Sequence, residues 1–351
     1  MKLKLWLRDG AGAAAGSDEH EEMHRRVEKQ REYARYTIPH KLFADALEKV
    51  EDCLASTQVA VDTNACLITG LPGTGKSTLS NKLIKDIEEQ IPPRTVLTED
   101  SIKKIIPVFY TKLDSDVTTK RLAKSMLIAL GEENVSGDGT DLTMRLVRLL
   151  KTCDTRLIIL DEFHHLLLRG AEKSREAVCN WVKFLLDSSG VPMVILGTPD
   201  CETIIDDNRQ LSRRVCFRSQ LEPFEFSLAS KSEYIRVIRA LNSAFETLGQ
   251  VQISPMLTDD RMAQALYVAT GGLMDSIRKL LAYVLAAAHN ANSPVVGFPE
   301  FQTAYSRLTL EGAILEQTSN KKSDPNPFAM TTADLIGILS KASDRSRKKT
   351  R

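Results

Sequence analysis

Gly70-Leu71-Pro72-Gly73-Thr74-Gly75-Lys76-Ser77 is the stretch on which the reading of this chain turns. It matches G-x-x-x-x-G-K-[ST]. It follows a short apolar run, Ala65-Cys-Leu-Ile-Thr69, and opens a helical pattern from Lys76 to Gln90. Strand, glycine loop and helix in that order make a cradle for phosphate. Glycines let the backbone wrap an anion with its N–H groups turned inward, and the helix presents its positive N-terminus. Lys76 is placed to reach the β- and γ-phosphates of a nucleotide and Ser77 to ligate Mg²⁺, in a binding stretch that runs from Gly70 to Thr78.

The second half of such a site is Arg156-Leu-Ile-Ile-Leu-Asp-Glu162, an apolar strand that carries two acids to its C-terminal end. Asp161 would hold Mg²⁺ through water, and Glu162 would polarise the water that attacks the γ-phosphate. A helix N-terminus enriched in acids is the plainer account of the pair. Both halves of a nucleotide site in the right order favour the chemical one. Asp161-Glu-Phe-His164 also spells the D-E-x-H of superfamily-two helicases, but no second motor element of the type Q-x-x-G-R-x-x-R occurs. His164 and His165 lack metal-ligand spacing and are expected to pack or bond locally, with His164 beside the base able to relay a partner's signal.

Working outward, short apolar strands alternate with helices. Strands are expected at Ala65–Thr69, Pro107–Leu113, Arg156–Leu160, Pro192–Gly197 and Arg214–Arg218, with helices at Lys76–Gln90, Thr119–Leu130 and Ser174–Ser188. Strands apolar on both faces imply a parallel sheet covered by helices on each side. A charged helix is expected at about Glu19–Arg35, an amphipathic helix at Lys41–Leu54, and helices alone over 230–247, 258–270, 273–290 and 298–315. The division is a partly flexible N-terminal extension (1–37), an α/β nucleotide-binding domain (38–226), a helical lid (227–315) and a flexible basic tail (316–351).

A chain of 351 residues suits about two domains. With 47 Lys and Arg against 46 Asp and Glu, uniform basic coating is excluded, although a local basic patch is not. The six cysteines form no C-x-x-C pair and are expected as buried reduced thiols. The N-terminus is too short and charged for a signal peptide, and no apolar run approaches the roughly 20 residues needed to span a bilayer. The expected location is cytoplasmic, without membrane contact.

Three later elements fit the same site. Thr198, closing the fourth strand, can orient the attacking water. In ring-forming ATPases an arginine in this region reaches into the neighbouring subunit's site; by that resemblance Arg213 and Arg214 of Asn208-Arg-Gln-Leu-Ser-Arg-Arg214 are the candidates, with Arg209 third. Arg278, in Thr270-Gly-Gly-Leu-Met-Asp-Ser-Ile-Arg278, could reach phosphates from the lid. In this order the elements resemble an AAA+ ATPase over residues 38–315. Asp161-Glu-Phe-His-His-Leu166, Gly197-Thr-Pro199, Gln210–Arg214, Gly271–Arg278 and Asp324-Pro-Asn-Pro-Phe328 are similar to the TniB/TnsC family of transposition regulators, including CRISPR-associated members. The resemblance implies an α/β AAA+ P-loop NTPase with a parallel five-stranded sheet and a small C-terminal helical lid. It also implies hydrolysis of ATP to ADP and phosphate with Mg²⁺, self-assembly into rings or helical filaments on double-stranded DNA, and bridging of a target-selector protein to a transposase. ATP hydrolysis then turns the assembly over. The segment from Arg94 to Lys104 is longer than the family pattern.

Phosphate binding by a ring needs only a few Lys, Arg or Thr donors per subunit. Lys103, Lys104, Lys112, Thr118, Thr119, Lys120 and Arg121 lie between the two nucleotide motifs and are the DNA candidates. No groove-reading motif occurs, so binding would be largely sequence-independent. Two other readings stand beside this one. An initiator or clamp-loader type would need a winged-helix reader after the lid, for which 316–351 is too short. An ATP-gated protein platform would not touch DNA.

Overall fold

The computed structural model describes residues 17–59, 62–97, 102–113, 118–167, 172–314 and 325–349. They fall into two compact units, Pro39–Glu225 with Leu273–Asp275, and the segments Met1–Ile38, Phe226–Gly272 and Ser276–Arg351.

The first unit is the α/β one. Its elements run α2 (Lys41–Val59), β1 (Ala65–Gly70), α3 (Lys76–Gln90), β2 (Arg94–Leu97), β3 (Ile102–Ile105), β4 (Val108–Lys112), α4 (Thr119–Ala129), α5 (Gly139–Thr152), β5 (Leu157–Asp161), a 3₁₀ turn (Phe163–Leu167), α6 (Glu172–Ser189), β6 (Met193–Gly197), α7 (Cys201–Asp207), α8 (Arg209–Ser212) and β7 (Phe217–Leu221). α1 (Ser17–Arg35) precedes them. Five strands form one parallel sheet in the order β4-β5-β6-β1-β7. Side chains alternate across a strand, and both faces are filled. Ala65, Leu67, Ile158, Leu160, Met193 and Ile195 enter one core with α4, α5 and α6. Cys66, Ile68, Leu157, Ile159, Val194 and Leu196 enter the other with α2 and α3. The two-sided apolar strands and the parallel sheet are thus one fact.

Two local expectations, the start of β7 and the burial of all six cysteines, are corrected here, and two elements, the β2–β3 hairpin and α5, are added. β7 starts at Phe217, because α8 and its C-terminal residues occupy 209–214. The long segment before β4 is an antiparallel hairpin, with Arg94 opposite Ile105 and Leu97 opposite Ile102. α5 was not anticipated, although Asp138 caps it by accepting from the backbone N–H groups of Thr140 and Asp141, and Leu142, Leu146, Val147 and Leu150 line its buried stripe. Five cysteines are buried as expected, but Cys216 is exposed.

The second unit is helical: α1, α9 (Glu233–Thr247), α10 (Asp260–Thr270), most of α11 (Met274–Ala291), α12 (Phe298–Arg307) and α13 (Thr332–Lys349), with a short parallel pair, β8 (Gln252–Ile253) and β9 (Val295–Val296). α1 is built into it. Tyr33 is buried edge-on to Phe245, with ring centroids 5.5 Å apart, and Arg26 donates to the carbonyl of His289 at 2.8 Å. α12 ends at Arg307, earlier than the sequence suggested. The stretch expected as a flexible tail is also packed where described. Phe328 is fully buried, 5.2 Å from Phe301 and 6.3 Å from Tyr305, and Leu335 is buried further on. These apolar anchors outweigh the polar composition around them. Residues 315–324, including Asp324 of the late motif, lie outside the described residues. Among the described residues, no helix is long and apolar enough to cross a membrane.

Candidate nucleotide site

β5, β6 and β1 are neighbours, so their C-terminal ends bring Asp161, Gly197-Thr198 and Gly70 to one edge of the sheet. In open parallel sheets ligands bind at this edge. From Gly70 the chain turns through Leu71–Gly75 into α3. Gly73 and Gly75 are left-handed, with φ of 79° and 109°. At Gly70 a Cβ would lie 2.5 Å from the Leu221 carbonyl, so only glycine lets β7 and the loop close together. Thr74 donates its hydroxyl to the Leu71 carbonyl at 2.8 Å. Lys76, first in α3, donates to the carbonyls of Gly70 at 2.6 Å and Leu71 at 3.0 Å. Burial lowers its pKa, while Glu162 and Asp161 oppose that shift, so the two motifs meet electrostatically. The side chains of Ser77 and Thr78 are exposed in the first turn.

Asp161 is buried at the end of β5, and both of its oxygens are engaged. Oδ1 accepts from the N–H of Glu162 at 2.8 Å, and Oδ2 accepts from the Tyr110 hydroxyl at 2.6 Å. Burial first, then that bond, raises the Tyr110 pKa. The sequence reading missed Tyr110. It sits on β4 opposite Ile159 and diagonal to Asp161, a neighbour relation visible only once the β4–β5 register is known. Glu162 has a left-handed backbone, φ 59°, which is uncommon outside glycine. Its Oε2 lies 3.3 Å from Nδ1 of His164, without hydrogen-bond geometry. Burial lowers the His164 pKa, against the opposing pull of Glu162. His165 places Nδ1 2.6 Å from the Leu113 carbonyl. One donor atom each from Glu162, His164 and His165 lie within 4.8 Å of one another, which the spacing alone did not suggest. Thr198, half-buried, reaches Asp200 at 3.4 Å.

The family described as Bacterial TniB protein matches residues 26–225. The chain belongs to the TniB family. It is thereby a TnsC/TniB-type AAA+ transposition regulator by family, and its fold agrees. Among solved structures it is similar to an Aeropyrum pernix ORC1 protein in complex with DNA (TM-score 0.52, 15% identity, 88% of this chain and 84% of that one). Cdc6p from Pyrobaculum aerophilum scores 0.57 at 14% identity, covering 88% and 81%. Drosophila ORC bound to DNA scores 0.53 at 14%, covering 90% and 73%. These likenesses show an AAA+ P-loop ATPase fold with a helical C-terminal region. No curated protein matches the chain.

The arginines of this TniB chain divide sharply. Arg214 is half-buried and bridges Asp62 at 2.5 Å and Asp187 at 2.9 Å. Arg209 and Arg213 are exposed, and neither side chain has a hydrogen-bond or ion-pair partner among the described residues. In the helical unit Arg278 donates to the carbonyls of Tyr33 (3.2 Å), Ala34 (2.7 Å) and Tyr36 (2.5 Å), closing the C-terminal end of α1.

The DNA candidates fall into two groups along α4. Thr118, Thr119, Lys120 and Arg121 lie at its start, where Thr118 accepts from the Arg121 N–H at 3.3 Å, whereas Lys112 ends β4 opposite Asp161. Lys103 and Lys104 lie on β3, near the other end. A Cβ on Gly131 would be 2.7 Å from the Lys104 ammonium. Lys124 is exposed between the groups. At 1.5 Å per residue, Lys120 and Gly131 are about 16 Å apart along the axis.

Proposed function

We propose that this TniB-family chain is an ATP-dependent DNA-binding regulator of transposition. ATP binding drives its copies to assemble on duplex DNA, the assembly bridges a target selector and a transposase, and hydrolysis to ADP and phosphate releases it. The observation that carries the reading is the meeting of Lys76, Asp161 and Glu162 at one sheet edge, with the Arg209 and Arg213 side chains left unengaged among the described residues. An enclosed nucleotide needs cationic donors on its γ-phosphate side. Arg213, with Arg209 second, supplies one to the neighbouring subunit's site. ATP then acts as the joint between copies, because a ligand that binds only the assembled state stabilises that state.

The donor set suits Mg²⁺: the Ser77 hydroxyl and Asp161 carboxylate are hard oxygen ligands. The bound ion would neutralise charge on the β- and γ-phosphate oxygens. Lys76 would bind those phosphates, Glu162 would take a proton from the attacking water, and Thr198 would orient that water. Lys103, Lys104, Lys112, Thr118, Thr119, Lys120 and Arg121 form the DNA-facing strip. Its length of about 16 Å spans some five phosphates of one strand at 3.4 Å of axis each.

Glu162→Gln tests the base: it should keep ATP-dependent assembly on DNA and lose turnover. Normal hydrolysis by that variant refutes the assignment. Lys76→Ala should lose both nucleotide binding and assembly. Filter binding of random duplex with a non-hydrolysable ATP analogue separates this reading from an ATP-gated platform. No analogue-dependent retention at moderate salt would favour the platform.

A further inference from the structure

We propose that Glu162, His164 and His165 form a binding site for a transition-metal ion of the Zn²⁺ class, which when filled withdraws Glu162 from its role as base. The metal half stands on geometry alone. The regulatory half rests on the proposed function of Glu162.

The left-handed backbone at Glu162 turns the chain directly into the 3₁₀ turn Phe163–Leu167. Residues two and three positions on are thereby brought around to the Glu162 carboxylate. The result is a cluster of one oxygen and two imidazole donors, all within 4.8 Å. A tetrahedral ion with bonds of 2.0–2.2 Å places its ligand atoms about 3.4 Å apart. Oε2 of Glu162 and Nδ1 of His164 already stand 3.3 Å apart. The two rings are 4.9 Å apart at 61°, close enough for both to face one ion.

Two further observations point to a ligand. Nδ1 of His164 is a buried nitrogen without a hydrogen-bond partner among the described residues. Such atoms are uncommon and call for a specific explanation. The Leu113 carbonyl, 2.6 Å from Nδ1 of His165, fixes the proton there and leaves Nε2 with its lone pair. Metal-binding histidines are oriented in this way by a carbonyl on the other nitrogen. Two imidazoles and a carboxylate select borderline ions over Mg²⁺. The pair Ser77 and Asp161 selects the reverse, so the two sites sort different ions. A Glu162 carboxylate bonded to such an ion is a far weaker base toward water. The triphosphate contacts of Lys76 and the loop are untouched, so a filled site would hold the ATP-bound assembly without turnover.

The test uses Co²⁺ as probe, added to the full-length, nucleotide-free protein. Expected are visible absorption bands of a low-symmetry Co²⁺ centre, displaced by Zn²⁺. They should be lost in His164→Gln and in His165→Ala and retained in Cys216→Ser, the exposed thiol control. Circular dichroism confirms that each variant is folded. Absent bands, or bands that persist in both histidine variants, overturn the site. In a second arm, Zn²⁺ is titrated into the Mg²⁺–ATP reaction. Wild-type turnover should fall at least tenfold, analogue-dependent DNA binding should persist, and each histidine variant should keep most of its own zinc-free rate. Bands without inhibition overturn the regulatory half. A wild-type protein that never hydrolyses ATP refutes the proposed function instead, and the Co²⁺ arm still decides the metal site.

Discussion

Tyr110→Phe removes one oxygen and leaves the ring, so it isolates the tether on Asp161. The hydroxyl donates to Oδ2 at 2.6 Å, and the carboxylate is only 3% exposed. A hydrogen bond to a charged group is worth about 1.5–3 kcal/mol. In a domain of this size 1 kcal/mol moves the melting midpoint by roughly 2–4 °C. The α/β unit should therefore melt about 3–12 °C lower. The second effect is on Mg²⁺. Losing the donor leaves more charge on Oδ2, which favours the ion. Losing the tether lets the carboxylate turn, which disfavours it. Asp161 is proposed to hold Mg²⁺ through water, which dilutes the charge gain, so orientation prevails. About 1 kcal/mol of weakened grip raises half-saturating Mg²⁺ roughly fivefold, with little change in the ATP requirement because Lys76 is untouched. Differential scanning fluorimetry and an Mg²⁺ titration of ATP turnover check both effects. An unchanged midpoint together with an unchanged Mg²⁺ curve refutes the tether.

Other perturbations probe separate parts of the molecule. Phe328→Ala empties a fully buried site between Phe301 and Tyr305; it should cost about 3–5 kcal/mol and speed hydrogen exchange in α13, while protection of β1 is unchanged. Lys104→Glu with Lys120→Glu should weaken duplex binding for every sequence alike and flatten its salt dependence, with nucleotide affinity kept. The Arg218 guanidinium holds the Asp206 carboxyl below its ordinary pKa. The stability this gives is present above the unfolded carboxylate pKa and fades as pH falls through the lower folded value. Arg218→Met should therefore lose stability at pH 7, by no more than about 1 kcal/mol for so exposed a pair, and match wild type in strong acid by chemical denaturation.

The sequence was most legible where structure is local or uniform. The phosphate loop reads directly, because its glycines and Lys76 are consecutive. β1, β5 and β6 read directly, because strands buried on both faces are apolar at every position. β2 and β3 did not, since Arg94–Leu97 is mostly exposed and carries no apolar alternation. Phe328 could not be told from an exposed residue in a polar tail until Phe301 and Tyr305 were beside it. Within the site, the missed contacts depend on register or backbone handedness. Tyr110 meets Asp161 across two strands. The histidines meet Glu162 only because a non-glycine residue takes a left-handed turn, which no spacing rule encodes.

Arg213 and Arg214 illustrate the same limit. Adjacent residues of one type carry no signal to divide their roles, yet the surroundings separate them. Arg214 pins the end of α8 to Asp62 and Asp187, and its carbonyl accepts from the Ala65 N–H at 2.8 Å. Asn208 caps the other end of α8 by accepting from Leu211 N–H at 2.9 Å, and its amide reaches Asn180 at 2.8 Å. Arg213 thus projects from a turn held on both sides, the preorganisation that a donor aimed at developing charge requires. A mount and a probe should fail differently. Arg214→Ala should lower the melting midpoint. Arg213→Ala should melt normally and lose hydrolysis by roughly 10³-fold or more, the scale of an arginine supplied in trans. Mixing Arg213→Ala with Glu162→Gln should restore turnover that neither shows alone, because the first keeps an intact base and the second brings an intact Arg213. Mixtures as inactive as their components, under conditions where both assemble, would mean that Arg213 does not complete a neighbour's site.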